Sequence, residues 1–294
     1  MRNTKNILKG SIILILISLV ISLLFIYKIK LDKPIFLKNY KEVEVLENDN
    51  GYLLEGTGVE LKYISNREDK RVVNSIVFKE APELNFYASE QPYNGGMIFF
   101  NDNKTTEDYG RYSIHTIYLS LNPSEAKYDL SKDIILEKAT IFFSDGLTME
   151  VDLGKIILYQ GELIEAPLKF TGTNISNDGS SQSMFFVNDY IEVSKVYSSL
   201  FIDTKDLFDF NIDKSGNMDS LNTIYNKNEY LYFTSQFNDI NDIERKLYSY
   251  DIKPTIYFKD RSGKEYKERV YNICYNPTFN FNDIYKYLSS KGEI

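Results

Sequence analysis

Alternation of apolar and polar positions is the main pattern along this chain. From Leu147 to Leu153 every second residue is apolar, directly after the turn Ser144-Asp145-Gly146. Period-2 alternation places the apolar side chains on one face of a strand and the polar ones in water. A second turn, Asn48 to Gly51, separates two further strand-like runs. The pattern predicts a β-hairpin at both places.

Three strand-like segments of the first half have similar counterparts, in the same order, in the second half. The pairs are Leu61-Lys62-Tyr63 with Leu168-Lys169-Phe170, Ile117 to Ser120 with Leu231 to Thr234, and Thr140 to Asp145 with Thr255 to Asp260. Similar segments in a constant order indicate an internal repeat. We therefore expect an all-β fold of two tandem immunoglobulin-like or fibronectin-like β-sandwiches, 41–159 and 162–277. One large irregular β domain is the alternative.

Composition supports the β prediction. The chain has 24 Tyr, 19 Phe and no Trp, and aromatic side chains suit a pleated, half-buried surface. The C-terminal tail, 278–294, departs from the strand pattern. Asn282 can cap a short helix there that ends near Leu288 and carries Ile284 on its apolar side.

The N-terminal segment also departs from the strand pattern. A basic leader, 1–10, precedes seventeen residues from Ser11 to Tyr27 without charge or proline. At about 1.5 Å per residue, this run and its extension to Leu31 approach the ~30 Å hydrocarbon core of a membrane. A cleaved signal peptide is the alternative, but no small-x-small cleavage site follows. We expect an uncleaved transmembrane signal-anchor helix at 11–31 in contact with membrane lipid.

Orientation and localisation follow from this anchor. Basic residues flank it on both sides, so the positive-inside rule alone does not orient it. The order of leader and apolar run places the leader in the cytoplasm and both sandwiches outside the cell membrane. A composition rich in Lys, Ile and Asn indicates a bacterial source, and the single-pass protein would then face the cell envelope.

Charge excludes one class of partner. Residues 34–294 contain 28 Lys and Arg against 41 Asp and Glu. Nucleic-acid binding requires a basic stripe that neutralises phosphates, and this acidic body has none. The single cysteine, Cys274, forms no internal disulfide and no zinc motif, and its position in a strand-like run predicts a small buried side chain.

No catalytic constellation stands out. His115 is the only histidine and lies in a strand-like run, with no orienting partner in the sequence. The sequence also lacks a nucleophile elbow, a phosphate-binding glycine loop and a zinc-protease motif. We therefore expect neither an enzyme nor a cofactor, with a strand position and a surface ring for His115.

Calcium is the one metal that the sequence suggests. Asp209, Asn211 and Asp213 match the first three ligand positions of an EF-hand loop. Lys214 then replaces the required glycine, and Ser220 replaces the bidentate glutamate. A polar turn between strands is the favoured interpretation, with calcium as the alternative.

Tyrosines mark the first place to look for a binding surface. Tyr87, Tyr93, Tyr109 and Tyr112 lie near three glycines and could form the rim of a protein-binding site. Carbohydrate binding is a weaker interpretation, because two β-sandwiches need most of their aromatic residues for their cores.

The function predicted from these observations is a non-enzymatic, membrane-anchored extracytoplasmic module that binds a protein or surface ligand. Two alternatives remain open. One is an envelope hydrolase or glycan-processing enzyme, which a cleft lined by two carboxylates would favour. The other is a sensor or accessory subunit of a membrane complex.

Overall fold

The computed structural model describes residues 2–48, 51–54, 58–91, 106–121, 132–161, 166–176, 179–213 and 223–294. Within these ranges the chain is mostly β, as predicted, with three α-helices. The helices are α1 (Arg2–Lys28), α2 (Ser199–Thr204) and α3 (Phe281–Ser290). The strands of the first part are β1 (Ile35–Phe36), β2 (Asn39–Asn48), β3 (Gly51–Leu54), β4 (Val59–Asn66), β5 (Val73–Phe78), β6 (Phe86–Ser89), β7 (Thr106–Tyr109), β8 (Tyr112–Leu121), β9 (Ile134–Phe143) and β10 (Thr148–Gln160). The strands of the second part are β11 (Leu168–Ile175), β12 (Ser180–Val187), β13 (Ile191–Tyr197), β14 (Phe208–Ile212), β15 (Thr223–Tyr225), β16 (Tyr230–Phe237), β17 (Ser249–Ile252), β18 (Thr255–Asp260), β19 (Glu265–Arg269) and β20 (Ile273–Tyr275).

Both predicted hairpins are present. β9 and β10 pair antiparallel with Phe142 opposite Thr148, and β2 and β3 pair with Asn48 opposite Gly51. The alternating apolar residues that begin at Leu147 pack against the core of the large sheet, as period-2 patterning requires. Alternation therefore predicted these local pairings correctly.

The largest sheet has twelve strands and curls back on itself. Its order is β1-β4-β8-β6-β5-β9-β10-β2-β17-β20, with β3 also paired to β2 and β7 to β8. Phe36 and Tyr63, on β1 and β4, contact Phe143 on β9, with ring centroids 6.5 and 6.2 Å away. Strands that are far apart in the sheet order thus face each other across one core.

The second part of the chain forms a smaller sandwich of two four-stranded sheets. The orders are β11-β12-β16-β14 and β15-β13-β18-β19. Inward-facing residues of both sheets share one core, in which Phe185 contacts Phe233 edge to face at 5.7 Å. In the sheet β11-β12-β16-β14, the side chains of β16 alternate strictly between buried ones, which face this core, and half-exposed or exposed ones, which lie on the outer face.

The two parts of the chain do not form the predicted pair of separate tandem sandwiches. β17, from the second part, pairs parallel with β2, with Tyr250 beside Tyr40, and β20 continues the same large sheet. A further core joins Leu31 and Ile114 of the first part to Phe201 of α2 and Leu288 of α3. The prediction of tandem sandwiches is wrong because long-range strand pairing links the parts into one sheet.

The matched segments of the proposed repeat all lie in strands or overlap them, but their surroundings differ. Thr140 to Asp145 reaches into β9 of the large sheet, whereas Thr255 to Asp260 forms β18 of a small sheet. The other two pairs likewise place their first member in the large sheet and their second in β11 or β16. The division at 41–159 and 162–277 stays a prediction.

α1 corrects the expectation of a membrane anchor. The helix ends at Lys28, and the last residues of the predicted span pack in the body, where Ile29 and Leu31 are 3% and 2% exposed. The backbone N–H of Leu31 donates to Asn66 Oδ1, and the Tyr112 hydroxyl donates to the Ile29 carbonyl. Among the residues that the structure describes, no helix combines the length and the apolar content that a membrane crossing requires. The transmembrane helix at 11–31 and the single-pass cell-membrane localisation are therefore wrong, whereas contact with membrane lipid stays a prediction.

α3 gives the C-terminal tail a defined place. The Asn280 side chain, rather than that of Asn282, caps the helix by accepting the backbone N–H of Asp283 at 3.0 Å. Ile284 and Leu288 are buried in the core that joins the two parts of the chain. The tail thus helps to hold the large sheet against α2.

Candidate functional site

His115 is buried in the large sheet, although we expected its ring at the surface. Its ring stacks on Tyr63 with centroids 4.6 Å apart. Nε2 is 3.0 Å from Ser65 Oγ, and Nδ1 is 3.2 Å from Thr106 Oγ1. Burial lowers the pKa of His115 despite the carboxylate of Glu90 at 3.9 Å. A serine, a histidine and a carboxylate are therefore adjacent, but the Ser65 side chain is buried and not presented to a substrate.

The calcium candidates do not form a loop around one point. Asp209 and Asn211 lie two residues apart on β14, a strand, where successive same-face residues are about 7 Å apart. Asp213 Oδ1 accepts the Tyr225 hydroxyl at 2.9 Å and the backbone N–H of Tyr232 at 3.1 Å. Residues 214–222, which complete the EF-hand-like pattern, lie outside the described ranges. No group of three or more His, Cys, Asp or Glu side chains within those ranges is arranged to hold a metal ion.

The predicted tyrosine rim is not assembled as one surface. Tyr112 is buried, whereas Tyr87 is 61% exposed on β6. The ring of Tyr109 lies 6.2 Å from that of Phe279, near α3. Tyr93 lies outside the described residues. The tyrosines that do share a cavity lie elsewhere in the structure.

That cavity, which we call the junction cleft, lies where the large sheet meets the sheet of β13, β18 and β19. Its volume is about 310 Å³. One wall comes from β2 and the end of β10, and the other from the ends of β13, β18 and β19. Its principal side chains are those of Glu42, Glu44, Asp133, Tyr159, Tyr197, Tyr257, Lys267, Glu268, Arg269 and Tyr271. The chain passes between the two sheets at 253–254 and 270–272.

A buried ion pair closes the cleft on the side of the large sheet. Glu42 is 1% exposed, and its Oε1 is 3.4 Å from Nη1 of Arg269. The backbone N–H of Lys253 donates to Oε2 at 2.6 Å, and the Ser198 side chain also bonds this carboxylate. Burial nevertheless raises the pKa of Glu42, since the cost of removing its charge from water exceeds the gain from these partners.

Arg269 is held by four groups from different parts of the chain. Its guanidinium lies 3.9 Å from the centroid of the Tyr159 ring and donates to the Lys253 carbonyl at 2.8 Å. Nη2 is 3.9 Å from Oδ2 of Asp133, which directly precedes β9. A cation fixed by a ring, a carbonyl and two carboxylates is pre-organised, because ligand binding need not order it further.

One wall is acidic, and the other carries charges of both signs. Glu42 and Glu44 come from β2, whereas Lys267 and Arg269 come from β19. The Glu44 carboxylate lies over Gly161, where a Cβ would come within 1.8 Å of Oε1. Burial also raises the pKa of Glu268. The cleft can therefore pair with both positively and negatively charged groups of one ligand.

Tyrosine rings form the outer part of the cleft. Tyr197 is 48% exposed, and the ammonium of Lys195 lies 5.6 Å from its ring centroid and 4.3 Å from that of Tyr257. Tyr257 is opposite Lys195 on β13 and opposite Lys267 on β19. Rings with an apolar body and a polar tip suit a contact surface that is partly wet.

Sequence reasoning missed every residue of this cleft. Glu42 and Arg269 meet across 227 positions of the chain. Local patterns say which face of a strand a residue occupies but not which distant strand covers it. Alternation in Glu42 to Val45 was a usable signal for two carboxylates on the same face of one strand, and no signal indicated their partner.

Comparisons with known proteins gave only distant similarity. No family model and no curated protein matches the chain. Among solved structures, the D00-D0 domain of intimin has 9% identity and a TM-score of 0.23, covering 81% of this chain and 98% of that one. The adhesin InvE of Yersinia pseudotuberculosis has 12% identity and a TM-score of 0.18, covering 81% of this chain and 58% of that one.

Proposed function

We propose that this protein is a non-enzymatic binding module whose junction cleft takes up charged side chains of a partner protein. The observation that carries the proposal is the pre-organised Arg269, which lies against Tyr159 and faces the acidic wall of β2. Arg and Tyr are enriched in protein interfaces, where they supply most of the binding energy.

Charge arrangement supports a protein as the ligand. A polypeptide offers ammonium, guanidinium and carboxylate groups within a few residues, and the cleft contains charged side chains of both signs. The exposed ring of Tyr197 and the half-buried ring of Tyr257 provide apolar area beside these charges. Glu42, already bound by Lys253, Ser198 and Arg269, is poorly placed to transfer a proton to a substrate.

Selection from a phage-displayed random peptide library tests the proposal. We expect the full chain to enrich peptides that carry both acidic and basic residues. Tyr197→Ala and Tyr257→Ala should each weaken binding of the enriched peptides by about tenfold, the loss expected when one interface anchor of ~1.4 kcal/mol is removed.

Tyr87→Ala is the matched control, because Tyr87 is an exposed strand tyrosine outside the cleft. It should leave peptide binding unchanged. If the enriched peptides bind the Tyr197 and Tyr257 variants as tightly as the native chain, or if no peptide is enriched, the cleft is not the site of a protein partner.

Hydrolysis of a glycan is a second candidate function. Four carboxylates line the cleft, and burial raises the pKa of Glu268, as for a proton-donating carboxylic acid. Turnover of a panel of fluorogenic glycosides that is lost in Glu268→Gln and retained in Tyr87→Ala would establish it. Absence of turnover across the panel would leave binding as the function.

A further inference from the structure

A second surface of the molecule has a different chemistry from the cleft. It is the outward face of the sheet β11-β12-β16-β14, whose inward face packs in the core of the small sandwich. Along β16, Tyr230, Tyr232, Thr234 and Gln236 are outward, alternating with four buried residues. We call this outward surface the open face.

A shallow groove of about 430 Å³ runs across one half of the open face. All ten residues that line it are uncharged, and nine of them are polar, although the chain carries a net charge of −8. Gln182 and Asn211 lie on either side of Thr234 in register, on three neighbouring strands. Two amides and a hydroxyl thus stand side by side.

Aromatic rings continue from the groove along the same face. Tyr232 is two residues before Thr234 on β16, and its ring lies 6.1 Å from that of Tyr230. The Tyr230 ring in turn lies 5.2 Å from that of Phe186 on β12. The three rings form an apolar strip on this face, with Tyr230 43% exposed and Tyr232 and Phe186 half-buried.

These two features together fit one class of ligand. Amides and hydroxyls both donate and accept hydrogen bonds, as the hydroxyls of a sugar do, while the C–H faces of sugar rings suit flat aromatic surfaces. Charge complementarity favours a neutral chain, because the groove contains no ionic partner for a sulfate, carboxylate or ammonium.

We propose that the open face binds a neutral polysaccharide, with Tyr232 stacking on a sugar ring and Gln182, Thr234 and Asn211 bonding its hydroxyls. This site is separate from the junction cleft, so it does not depend on the function proposed for the cleft. Tyr257→Ala in the cleft should leave polysaccharide binding unchanged.

Affinity electrophoresis of the full chain tests the proposal. The gels contain neutral polysaccharides (hydroxyethyl cellulose, xyloglucan, galactomannan and soluble starch) or anionic ones (alginate and polygalacturonate). We expect retardation by at least one neutral polymer and by neither anionic one. Tyr232→Ala and Gln182→Ala should each weaken this binding about tenfold, whereas Tyr87→Ala should not.

Three results would overturn the proposal. The first is the absence of retardation in all four neutral gels, and the second is retardation that Tyr232→Ala and Gln182→Ala leave unchanged. The third is self-association in sedimentation experiments that Tyr232→Ala abolishes, because the open face would then bind a second copy of the chain. Far-UV circular dichroism and thermal midpoints verify that each variant is folded.

Discussion

Arg269 and Glu42 form a buried ion pair although 227 positions separate them in the chain, with Nη1 and Oε1 3.4 Å apart. The pair links β19 of the small sandwich to β2 of the large sheet. Burial raises the pKa of Glu42, so the two partners of the pair are not equivalent. Neutralising Glu42 costs little stability, whereas removing Arg269 leaves a buried carboxylate without a cation.

Substitutions in this pair should therefore be asymmetric. Glu42→Gln mimics the protonated carboxyl and should cost less than about 1 kcal/mol, whereas Arg269→Met leaves a buried charge and should cost about 3 kcal/mol at pH 7. Urea unfolding measures both. The double variant should be more stable than Arg269→Met alone, and the cost of Arg269→Met should shrink as the pH falls and Glu42 takes up a proton. Equal costs for the two single variants would contradict this asymmetry.

A glycine in β10 should be indispensable. Gly154 has φ +89°, and a Cβ there would lie 2.4 Å from the carbonyl oxygen of Asn39 on β2. Gly154→Ala should therefore cost at least about 3 kcal/mol, of which positive φ accounts for roughly 1. Gly146→Ala is the matched control, with φ +88° but open space around the new Cβ. Similar thermal midpoints for the two variants would show that the backbone contact at Gly154 is unimportant.

His115 should make stability depend on pH below its unfolded pKa of 6.5. Since burial lowers the pKa of the folded state, the unfolded chain binds more protons in this range, and stability falls as the pH drops from 6.5 towards the folded pKa. The carboxylates of Glu90, Asp69 and Asp108 face the ring and oppose this shift.

His115→Gln isolates that dependence. The variant should be less stable than the native chain by about 1–2 kcal/mol at pH 7.5, because it loses stacking on Tyr63 and contacts to Ser65 and Thr106. The difference should narrow at pH 5. A difference that widens on acidification would show that the folded pKa of His115 is raised.

Asp283 should stabilise the first turn of α3 through Lys246. The Lys246 ammonium, 2.7 Å from Oδ2, and the Asn280 side chain lower the pKa of Asp283, so the stabilisation is present above pH 3.8 and lost as the pH falls through the folded pKa. A double-mutant cycle of Asp283→Asn and Lys246→Met at pH 7 should give a coupling of about 0.5–1 kcal/mol. That coupling should vanish at pH 2.5 if the native fold persists there. If the stability losses of the two single variants simply add at pH 7, the ion pair does not stabilise the fold.

The sequence predicted what is local and missed what is distant. The hairpin at Ser144-Asp145-Gly146 was visible because its two strands adjoin in the chain and alternate with period 2. The pairing of Tyr250 with Tyr40 could not be predicted, because a local residue pattern does not identify a strand partner more than 200 positions away. The apolar run to Leu31 was read as one membrane helix, since hydropathy does not show that Ile29 and Leu31 are buried against protein.

For the candidate sites, too, the sequence showed local features and not distant neighbours. The position of Tyr232 on an outward row was readable from alternation in β16, although its neighbours on β12 and β14 were not. The spacing of Asp209, Asn211 and Asp213 resembled a calcium loop, but the same period of two also describes one face of a strand. Spacing alone could not separate the two.

The position of β2 between β10 and β17 has a consequence for biosynthesis. Asn39 on β2 pairs with Ser249 on β17. This pair cannot form until the ribosome has added about 200 further residues. Until then the early part of the nascent chain keeps an unpaired strand edge, which other chains can extend. A chain truncated before residue 249 should therefore aggregate instead of forming a shorter folded protein. During synthesis, the nascent chain should need chaperone protection until β17 has been made.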